Sequence, residues 1–270
     1  RIDIVYAKAG RIMFLYEEVK TIMKTIHGQY IWIIGASSGI GAELAVALSQ
    51  QGANVILSSR REPELQSVRL QLTGANHQVL AFDISDHSQT INAFKNIKRL
   101  DRVIFMAAVY DPSEQGRTDI AFIRKSLQVN LGGVYNMLDV ASSFFVTQGH
   151  GQIVLCGSVS GYFGLPNAQP YSSTKAAITN LAESLYVEYQ SKNIDVKLIS
   201  PGFVSTPMTS KNDFEMPMVI DALTAVKAIV KGLTSSAFEI HFPKRFTRLV
   251  KLLSLLPYWL AFKVSRKLMK

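Results

Sequence analysis

The sequence of 270 residues has little from which to build a disulfide or a metal site. Its single cysteine, Cys156, cannot form an internal disulfide, and its five histidines do not stand at the spacing of zinc ligands. The sequence therefore favours a reducing compartment and no bound metal. A short apolar patch at 12–16 is closed by two acidic residues, too short and too acidic for a signal-peptide core. We expect a cytoplasmic protein.

The amino-acid composition is also unlike that of a disordered or fibrous chain. Hydrophobic residues make up 48% of the chain and charged residues 18%, which is typical of a globular protein. In the C-terminal part the charge-free run 252–262 has eleven residues, well short of the roughly 20 that span a bilayer. The length is enough for a large core, but it does not decide between two domains and one, because α/β folds of roughly 200–250 residues are commonly single.

Acidic residues are absent from 240–270, which carries eight basic side chains. Because the whole chain has a formal charge of +9, the remainder sums to only +1. A nearly neutral body is therefore joined to a cationic, apolar tail. We predict three parts: an N-terminal extension at 1–28 with a possible helix at 13–23 and no assigned function, a body at 29–242, and a basic amphipathic helical tail at 243–270.

Short apolar runs alternate with amphipathic stretches along the body. The runs, apolar throughout as in strands covered on both faces, lie at 30–34, 54–58, 78–82, 102–106, 152–156 and 195–199. Helical patterns lie at about 40–51, 62–73, 86–97, 119–148 and 171–192, and a further one, after a loop at 205–217, has Val219, Leu223, Val226, Val230 and Leu233 on one face. The alternation predicts an α/β fold: a Rossmann-like, doubly wound parallel sheet with helices on both faces.

The first predicted strand runs into a glycine-rich turn that contains Gly35, Gly39 and Gly41 and opens a helix. Glycines at such a turn let backbone N–H groups and a helix N-terminus approach a pyrophosphate. The spacing is GxxxGxG rather than GxGxxG, and a tight turn without a ligand is the alternative.

The end of the second predicted strand bears on which dinucleotide fits. A site that prefers NAD places an acid about 20 residues past the glycines, whereas NADP needs room and positive charge for its 2′-phosphate. Here Ser59, Arg60 and Arg61 stand together without an acid, which favours NADP over a merely solvated arginine pair. Asp83, which closes the third strand, suits either an adenine amino group or the cap of the next helix.

Tyr171 and Lys175 stand four residues apart at the start of a predicted helix and so share one of its faces. A neighbouring ammonium lowers the pKa of a tyrosine and makes it a usable proton donor to a carbonyl that receives hydride. Alone, the spacing also fits a packed tyrosine beside a surface lysine. Ser158 follows the fifth predicted strand. Asn130 lies in an apolar helical pattern, where the presence of a polar residue needs a reason.

In their order and spacing these residues resemble a known family. The stretch 29–242 is similar to the short-chain dehydrogenases/reductases of the compact single-domain type, whose motifs match Gly35, Gly39, Gly41, Asn130, Ser158, Tyr171, Lys175, Pro201, Gly202 and Thr206. The resemblance implies hydride transfer between NADP(H) and a carbonyl or secondary alcohol, with Tyr171 as acid/base and Ser158 holding the substrate oxygen. It also implies that Lys175 binds the nicotinamide ribose and that Asn130 holds a water in a proton relay.

The resemblance further implies a set of cofactor contacts. Arg60 would bind the 2′-phosphate of NADP, and Val204 and Thr206 would contact the carboxamide. The full expected set is Gly35, Ser37, Ser38, Gly39, Ile40, Gly41, Ser59, Arg60, Asp83, Ile84, Ala107, Tyr171, Lys175, Pro201, Gly202, Val204 and Thr206. One departure is that Phe105 and Met106 stand where the family has two asparagines, so packing must replace their hydrogen bonds.

The tail pattern predicts two helices divided by Pro257. The residues expected to share a face in the first are Phe246, Leu249, Leu252, Leu253 and Leu256; in the second, Leu260, Val264 and Leu268 oppose Lys263, Arg266, Lys267 and Lys270. With Tyr258 and Trp259, such helices suit an anionic membrane surface, and covering the cleft or a subunit interface is the alternative. The tail sequence has no aromatic stacking platform of the kind that would indicate nucleic-acid binding.

Two kinds of function compete. The first is an NADP(H)-dependent carbonyl reductase or alcohol dehydrogenase, homodimeric or homotetrameric, acting on a lipophilic small molecule and peripheral on the inner membrane surface. The second is a dinucleotide-binding regulator or scaffold that lacks the chemistry. The joint presence of Asn130, Ser158, Tyr171 and Lys175 favours the enzyme, and the short C-terminal part disfavours an epimerase or dehydratase.

Overall fold

The computed structural model describes residues 25–267, and their centre is one parallel sheet. Its strands are β1 (Tyr30–Ile34), β2 (Asn54–Ser59), β3 (Gln78–Ala81), β4 (Arg102–Phe105), β5 (Gly151–Cys156), β6 (Ile194–Pro201) and β7 (Glu239–Phe242). They lie in the order β3-β2-β1-β4-β5-β6-β7. Because the chain winds one way from β1 to β3 and the other way from β4 onward, a crevice opens at the carboxyl ends of β1 and β4. The predicted doubly wound Rossmann-like fold is confirmed.

Helices cover both faces of the sheet. They are α1 (Gly39–Gln50), α2 (Glu62–Arg69), α3 (His87–Phe94), α4 (Glu114–Thr118), α5 (Ile120–Ser126), α6 (Gly133–Gln148), α7 (Tyr171–Gln190), α8 (Ala222–Leu233), α9 (Lys244–Ser254) and α10 (Tyr258–Lys267). One apolar layer packs α1, α2 and α8 on the sheet, and the other packs α6 and α7. Strand β4 is buried at every position, and after Arg102 it is apolar because both of its faces are covered.

The body differs from the sequence-based prediction in several places, among them the short helix α4, which was not predicted. The helix expected at 119–148 is divided into α5, a π-helical turn at Leu127–Gly132, and α6. The edge strand β7 was not predicted, because Glu239 and His241 alternate with Ile240 and Phe242 in a run of only four residues. In α8 the buried residues are Ala225, Val226, Ile229 and Leu233, whereas Val219 precedes the helix and Leu223 is exposed.

The packed body includes residues that the prediction assigned to the N-terminal extension. Ile26 is buried in the core, and the carbonyl of Thr25 accepts a hydrogen bond from Nη2 of Arg102 at 3.0 Å. Residues 1–24 of the extension, including the possible helix at 13–23, lie outside the described residues.

The tail forms the two predicted helices, but the side chains expected to share one face of the first are divided between the body and the solvent. In α9 the buried residues are Thr247, Val250 and Leu253, while Leu249 and Leu252 of the predicted face are each 57% exposed. In α10 the buried positions are Ala261 and Ser265, Val264 is exposed, and Leu268 lies outside the described residues. Of the five apolar side chains on the predicted face, only Leu253 is buried. None of the helices within residues 25–267 is both long and apolar enough to cross a membrane.

Candidate active site

The turn between β1 and α1 is shaped for close approach by a ligand. Gly35 and Gly39 have positive φ angles of 96° and 58°, which side chains other than hydrogen adopt with strain. A Cβ on Gly41 would lie only 2.2 Å from the carbonyl oxygen of Gly35. The N-cap residue, Ser38, makes no side-chain cap, so backbone N–H groups at the start of α1 stay available for an anion.

This turn forms one end of a cleft of about 420 Å³ at the carboxyl edge of the sheet. All of the residues expected to contact a cofactor line it: Gly35, Ser37, Ser38, Gly39, Ile40, Gly41, Ser59, Arg60, Asp83, Ile84, Ala107, Tyr171, Lys175, Pro201, Gly202, Val204 and Thr206. Residues from six separate segments of the chain thus meet around one space. Met106 also lines the cleft and Phe105 is fully buried beneath it, so both fill their place by packing, as expected.

Two arginines stand at the outer end of the cleft, and they hold different partners. Nη1 of Arg60 lies 3.7 Å from Oδ2 of Asp83. Nη2 of Arg61 donates to the hydroxyls of Ser37 at 2.9 Å and of Ser38 at 3.0 Å. The expected set omitted Arg61, although the pair was noted, because an arginine at a helix start is often simply solvated. The structure instead brings Arg61 onto the glycine-rich turn.

The alternative interpretation of Asp83 as a helix cap is wrong. Asp86 caps α3 by accepting from the backbone N–H of Gln89. Oδ1 of Asp83 accepts from the backbone N–H of Ser85 at 2.9 Å and from its hydroxyl at 2.7 Å. These bonds hold the carboxylate in the wall of the cleft.

Ser158 and Tyr171 are brought together by the packing of the turn after β5 on α7. The hydroxyl of Ser172 donates to the carbonyl of Ser160 at 2.6 Å. Gly161 lies so close to α7 that a Cβ there would be 2.8 Å from the carbonyl oxygen of Lys175. Ser160 fixes Ser158 by donating from its backbone N–H, at 3.2 Å, and from its hydroxyl, at 3.1 Å. Ser160, Gly161 and Ser172 carry no motif that sequence reasoning recognised.

The pKa of Tyr171 differs from the expected direction. Burial raises the pKa of Tyr171 above its ordinary value, with the neighbouring Cys156 and Tyr110 acting in the same direction and a hydrogen bond with Ser158 opposing them. Lys175 shares the face of α7, with Nζ 5.3 Å from the centroid of the Tyr171 ring. However, Nζ donates to the carbonyl of Cys156 at 2.7 Å, and burial lowers the pKa of Lys175. Desolvation therefore outweighs the attraction that the sequence argument relied on.

Asn130 has a direct structural reason to lie in an apolar helix. It is fully buried in the π-helical turn. Its Oδ1 accepts from the backbone N–H of Val109 at 2.7 Å, and its Nδ2 donates to the carbonyl of Val109 at 3.0 Å and to Thr174 at 3.3 Å. The amide thus ties the segment after β4 to α7.

The segment after β6 forms part of the wall of the cleft. Thr206 approaches the glycine-rich turn, since a Cβ on Gly39 would lie 3.4 Å from it. Further along, Asn212 accepts from the hydroxyl of Tyr110 at 2.8 Å, and the Tyr110 ring packs edge-on against Tyr171 with centroids 5.1 Å apart. The sequence offered no signal for Tyr110 or Asn212, because their contact spans about 100 residues.

Comparison with known proteins identifies the family. The family model described as short chain dehydrogenase matches residues 29–216, most of the body. The chain is a short-chain dehydrogenase/reductase. Such enzymes are oxidoreductases that bind a nicotinamide dinucleotide and act on small molecules with CH–OH or C=O groups.

This short-chain dehydrogenase resembles proteins of several bacteria. It is 30% identical over 239 residues to an uncharacterized oxidoreductase of Mycobacterium tuberculosis, covering 85% of this chain and 94% of the other. It is 28% identical over 228 residues to a 7beta-hydroxysteroid dehydrogenase of Clostridium sardiniense, covering 83% and 85%. A crystal structure of a short chain dehydrogenase from Burkholderia cenocepacia in complex with NADP superimposes with a TM-score of 0.74 at 25% identity, covering 85% and 94%.

Proposed function

We propose that this dehydrogenase transfers hydride between NADP(H) and a lipophilic carbonyl or secondary alcohol, with Tyr171 as the proton donor and acceptor. The observation that carries the proposal is that Tyr171 and Lys175 share one cleft with the glycine-rich turn and the two arginines. Proton chemistry and dinucleotide recognition are thereby available at one place.

The glycine-rich turn fits a dinucleotide pyrophosphate. A side chain at Gly41 would collide with the main chain of Gly35, so this surface stays bare backbone beside a helix N-terminus. The turn residues Gly35 to Gly41 would hold the pyrophosphate, and Lys175, Val204 and Thr206 would hold the nicotinamide end. The bound cofactor supplies or accepts the hydride.

Tyr171 acts on the proton that must accompany the hydride. Since burial raises its pKa, the phenol stays protonated at neutral pH, which is the form needed to donate to the oxygen of a carbonyl under reduction. Ser158, held by Ser160, would donate a hydrogen bond to that same oxygen and align it. In alcohol oxidation the proton returns to Tyr171.

Lys175 and Asn130 would restore the proton on Tyr171. The buried ammonium of Lys175 lies beside the Tyr171 ring and stabilises negative charge there after proton transfer. The Asn130 side chain fixes Val109 and Thr174, and its carbonyl would hold the relay water.

A preference for NADP(H) over NAD(H) is supported by charge. Arg60 would meet the 2′-phosphate directly, with Ser37 and Ser59 nearby, and Arg61 adds a second guanidinium at the same end. No acid lies at the end of β2 to bind a free 2′-hydroxyl and repel a phosphate. The Burkholderia cenocepacia protein, which is similar in fold, was solved with NADP.

The proposal includes location and partners. The cationic tail, 244–270, would contact an anionic membrane surface from the cytoplasmic side, which suits a lipophilic substrate. A homodimer or homotetramer is supported by exposed apolar side chains on the body, notably Tyr135 on α6 and Val187 on α7. Nucleic acid is not a proposed partner.

The test is NADPH oxidation by the full chain against carbonyl compounds from short to long chain. The wild type should consume NADPH with at least one of them, and Tyr171→Phe should lose turnover while still binding NADPH. Binding without turnover by the wild type across the panel would support the regulator or scaffold instead. Unchanged turnover in Tyr171→Phe would remove Tyr171 as the acid.

A further inference from the structure

The tail presents an apolar surface that the body does not cover. Its inward stripe is already packed, because Val250, Leu253 and Ala261 are buried. The ammonium of Lys251 also pairs with the carboxylate of Glu239. Large apolar side chains on the outward side are each at least half exposed: Leu249, Leu252, Leu255, Tyr258, Trp259 and Phe262. These six residues are the tail face. This packed stripe holds α9 and α10 against the body. The two helices therefore do not fold over the cleft, and the tail face stays exposed.

Cations without ion-pair partners surround the tail face. The exposed cations are Lys244, Arg245, Arg248, Lys263 and Arg266, and none of them forms a salt bridge with any residue from 25 to 267. Apolar side chains bordered by cations, with Trp259 and Tyr258 among them, match the layered chemistry of an anionic bilayer surface. Lipid phosphates would pair with the cations while the apolar side chains enter the acyl region.

A second copy of the chain is a poorer occupant of this face. A symmetric dimer would place the same patch of both copies together. Five cations of each copy would then lie close to those of the other, and the acidic residues of the adjoining segment 214–223, Glu215 and Asp221, are too few to neutralise them. Like charges brought together at an interface oppose association. The charge of the tail therefore favours anionic lipid.

The tail face adjoins the substrate side of the cleft. Gly202 lines the cleft, and a Cβ there would lie 2.8 Å from Cδ1 of Phe246 on α9. Phe246 packs on Phe203 with ring centroids 5.5 Å apart, and Phe203 packs on Phe214 at 5.7 Å. This aromatic row joins α9 to the segment after β6. That segment and the first turn of α8 expose further apolar side chains: Phe214, Met218, Val219 and Leu223.

We propose that the tail face and the exposed apolar side chains at 214–223 form one surface that rests on an anionic lipid bilayer. The substrate side of the cleft then faces the lipid, and a lipophilic carbonyl or alcohol dissolved in the bilayer enters without crossing water. The substrate chemistry rests on the proposed function, whereas the membrane contact stands on the surface alone.

Vesicle binding by the full-length chain tests the contact. The chain should co-sediment with phosphatidylglycerol vesicles and much less with phosphatidylcholine vesicles, and added salt should release it. Trp259→Glu and Arg248→Glu should each lower the partition coefficient by about tenfold or more, because one loses apolar burial and the other reverses a charge. The matched controls are Leu70→Glu, at a position 87% exposed on the body, and Lys98→Glu, and both should bind as the wild type does.

Turnover of two carbonyls tests the substrate route. Leu223→Glu adds an acid to the first turn of α8, where the helix dipole favours it, so the fold should be kept. It and Trp259→Glu should reduce a water-soluble carbonyl at the wild-type rate but a vesicle-dissolved long-chain carbonyl at least about tenfold more slowly.

Three results would overturn the inference. They are equal vesicle binding by wild type and Trp259→Glu, equal loss of turnover on both carbonyls, or a lipid-free dimer that Trp259→Glu dissociates in light scattering. Failure of the wild type to reduce the water-soluble carbonyl would instead count against the proposed function and leave vesicle binding unaffected.

Discussion

The two arginines at the outer end of the cleft allow a sharp test of cofactor selectivity. In Arg60→Ala, NADPH should bind about tenfold more weakly, while the affinity for NADH should change by less than about twofold. The reason is that only NADPH carries a phosphate on the ribose 2′-oxygen, and the variant also leaves Asp83 without its neighbouring cation. The remaining carboxylate would then repel the phosphate.

The expected loss of NADPH affinity is estimated from the solvent exposure of the two arginine side chains. A hydrogen bond to a charged group contributes about 1.5–3 kcal/mol. The side chains of Arg60 and Arg61 are 49% and 52% exposed, so solvent screens them and the lower end of that range applies. About 1.4 kcal/mol corresponds to one factor of ten in the dissociation constant. Arg61→Ala should weaken NADPH by a similar factor and NADH somewhat, because it also releases Ser37 and Ser38.

The assay is a fluorescence titration of each nucleotide at two salt concentrations. Arg124→Ala, which removes an exposed arginine away from the cleft, is the matched control and should bind both nucleotides as the wild type does. The selectivity of the wild type should shrink with salt, since exposed charges are screened. Equal weakening of NADPH and NADH in Arg60→Ala would refute the assignment of the phosphate site.

The other predictions concern the turn, the tail and the pH dependence. Gly41→Ala should abolish measurable dinucleotide binding because its Cβ would meet the Gly35 carbonyl oxygen at 2.2 Å, whereas Gly164→Ala, with no atom within 4 Å, should titrate normally. Leu253→Ala should lower the free energy of unfolding by about 2–3 kcal/mol in urea and Leu252→Ala by less than about 0.5 kcal/mol, and equal values would contradict the packing of α9. Alcohol oxidation needs the Tyr171 phenolate, whose pKa burial raises, so kcat/KM for oxidation should still be increasing above pH 9; a plateau below pH 8 would count against it.

The sequence predicted those structural features that depend on local chemistry and on the order of motifs along the chain. The six predicted strands and the glycine-rich turn follow from apolar runs and from backbone that only glycine permits, and all six strands were found. The residues that line the cleft followed from the resemblance to a known family, whose motifs stand near the carboxyl ends of the parallel strands. Strand β7 escaped prediction because its alternation of polar and apolar residues is short and lies at the sheet edge.

The remaining features depend on contacts between distant residues. Whether Arg61 reaches Ser37 depends on how α2 leaves β2, and the direction of the Tyr171 pKa depends on how much of the ring is buried. Which side of α9 packs depends on the body beneath it, which buries Thr247, Val250 and Leu253 and leaves Leu249 and Leu252 exposed. None of these has a local sequence signal.

The central claim is that the chain moves hydride between NADP(H) and a carbonyl, and isotope transfer tests it most directly. The full-length protein is incubated with a panel of carbonyl compounds and NADPH that is deuterated at the transferable C4 position. The masses of the product alcohols are then measured by mass spectrometry. The account predicts one deuterium at the new carbinol carbon with the wild type and none with Tyr171→Phe, although both variants bind NADPH. Tight NADPH binding by the wild type with no deuterium in any alcohol would contradict it.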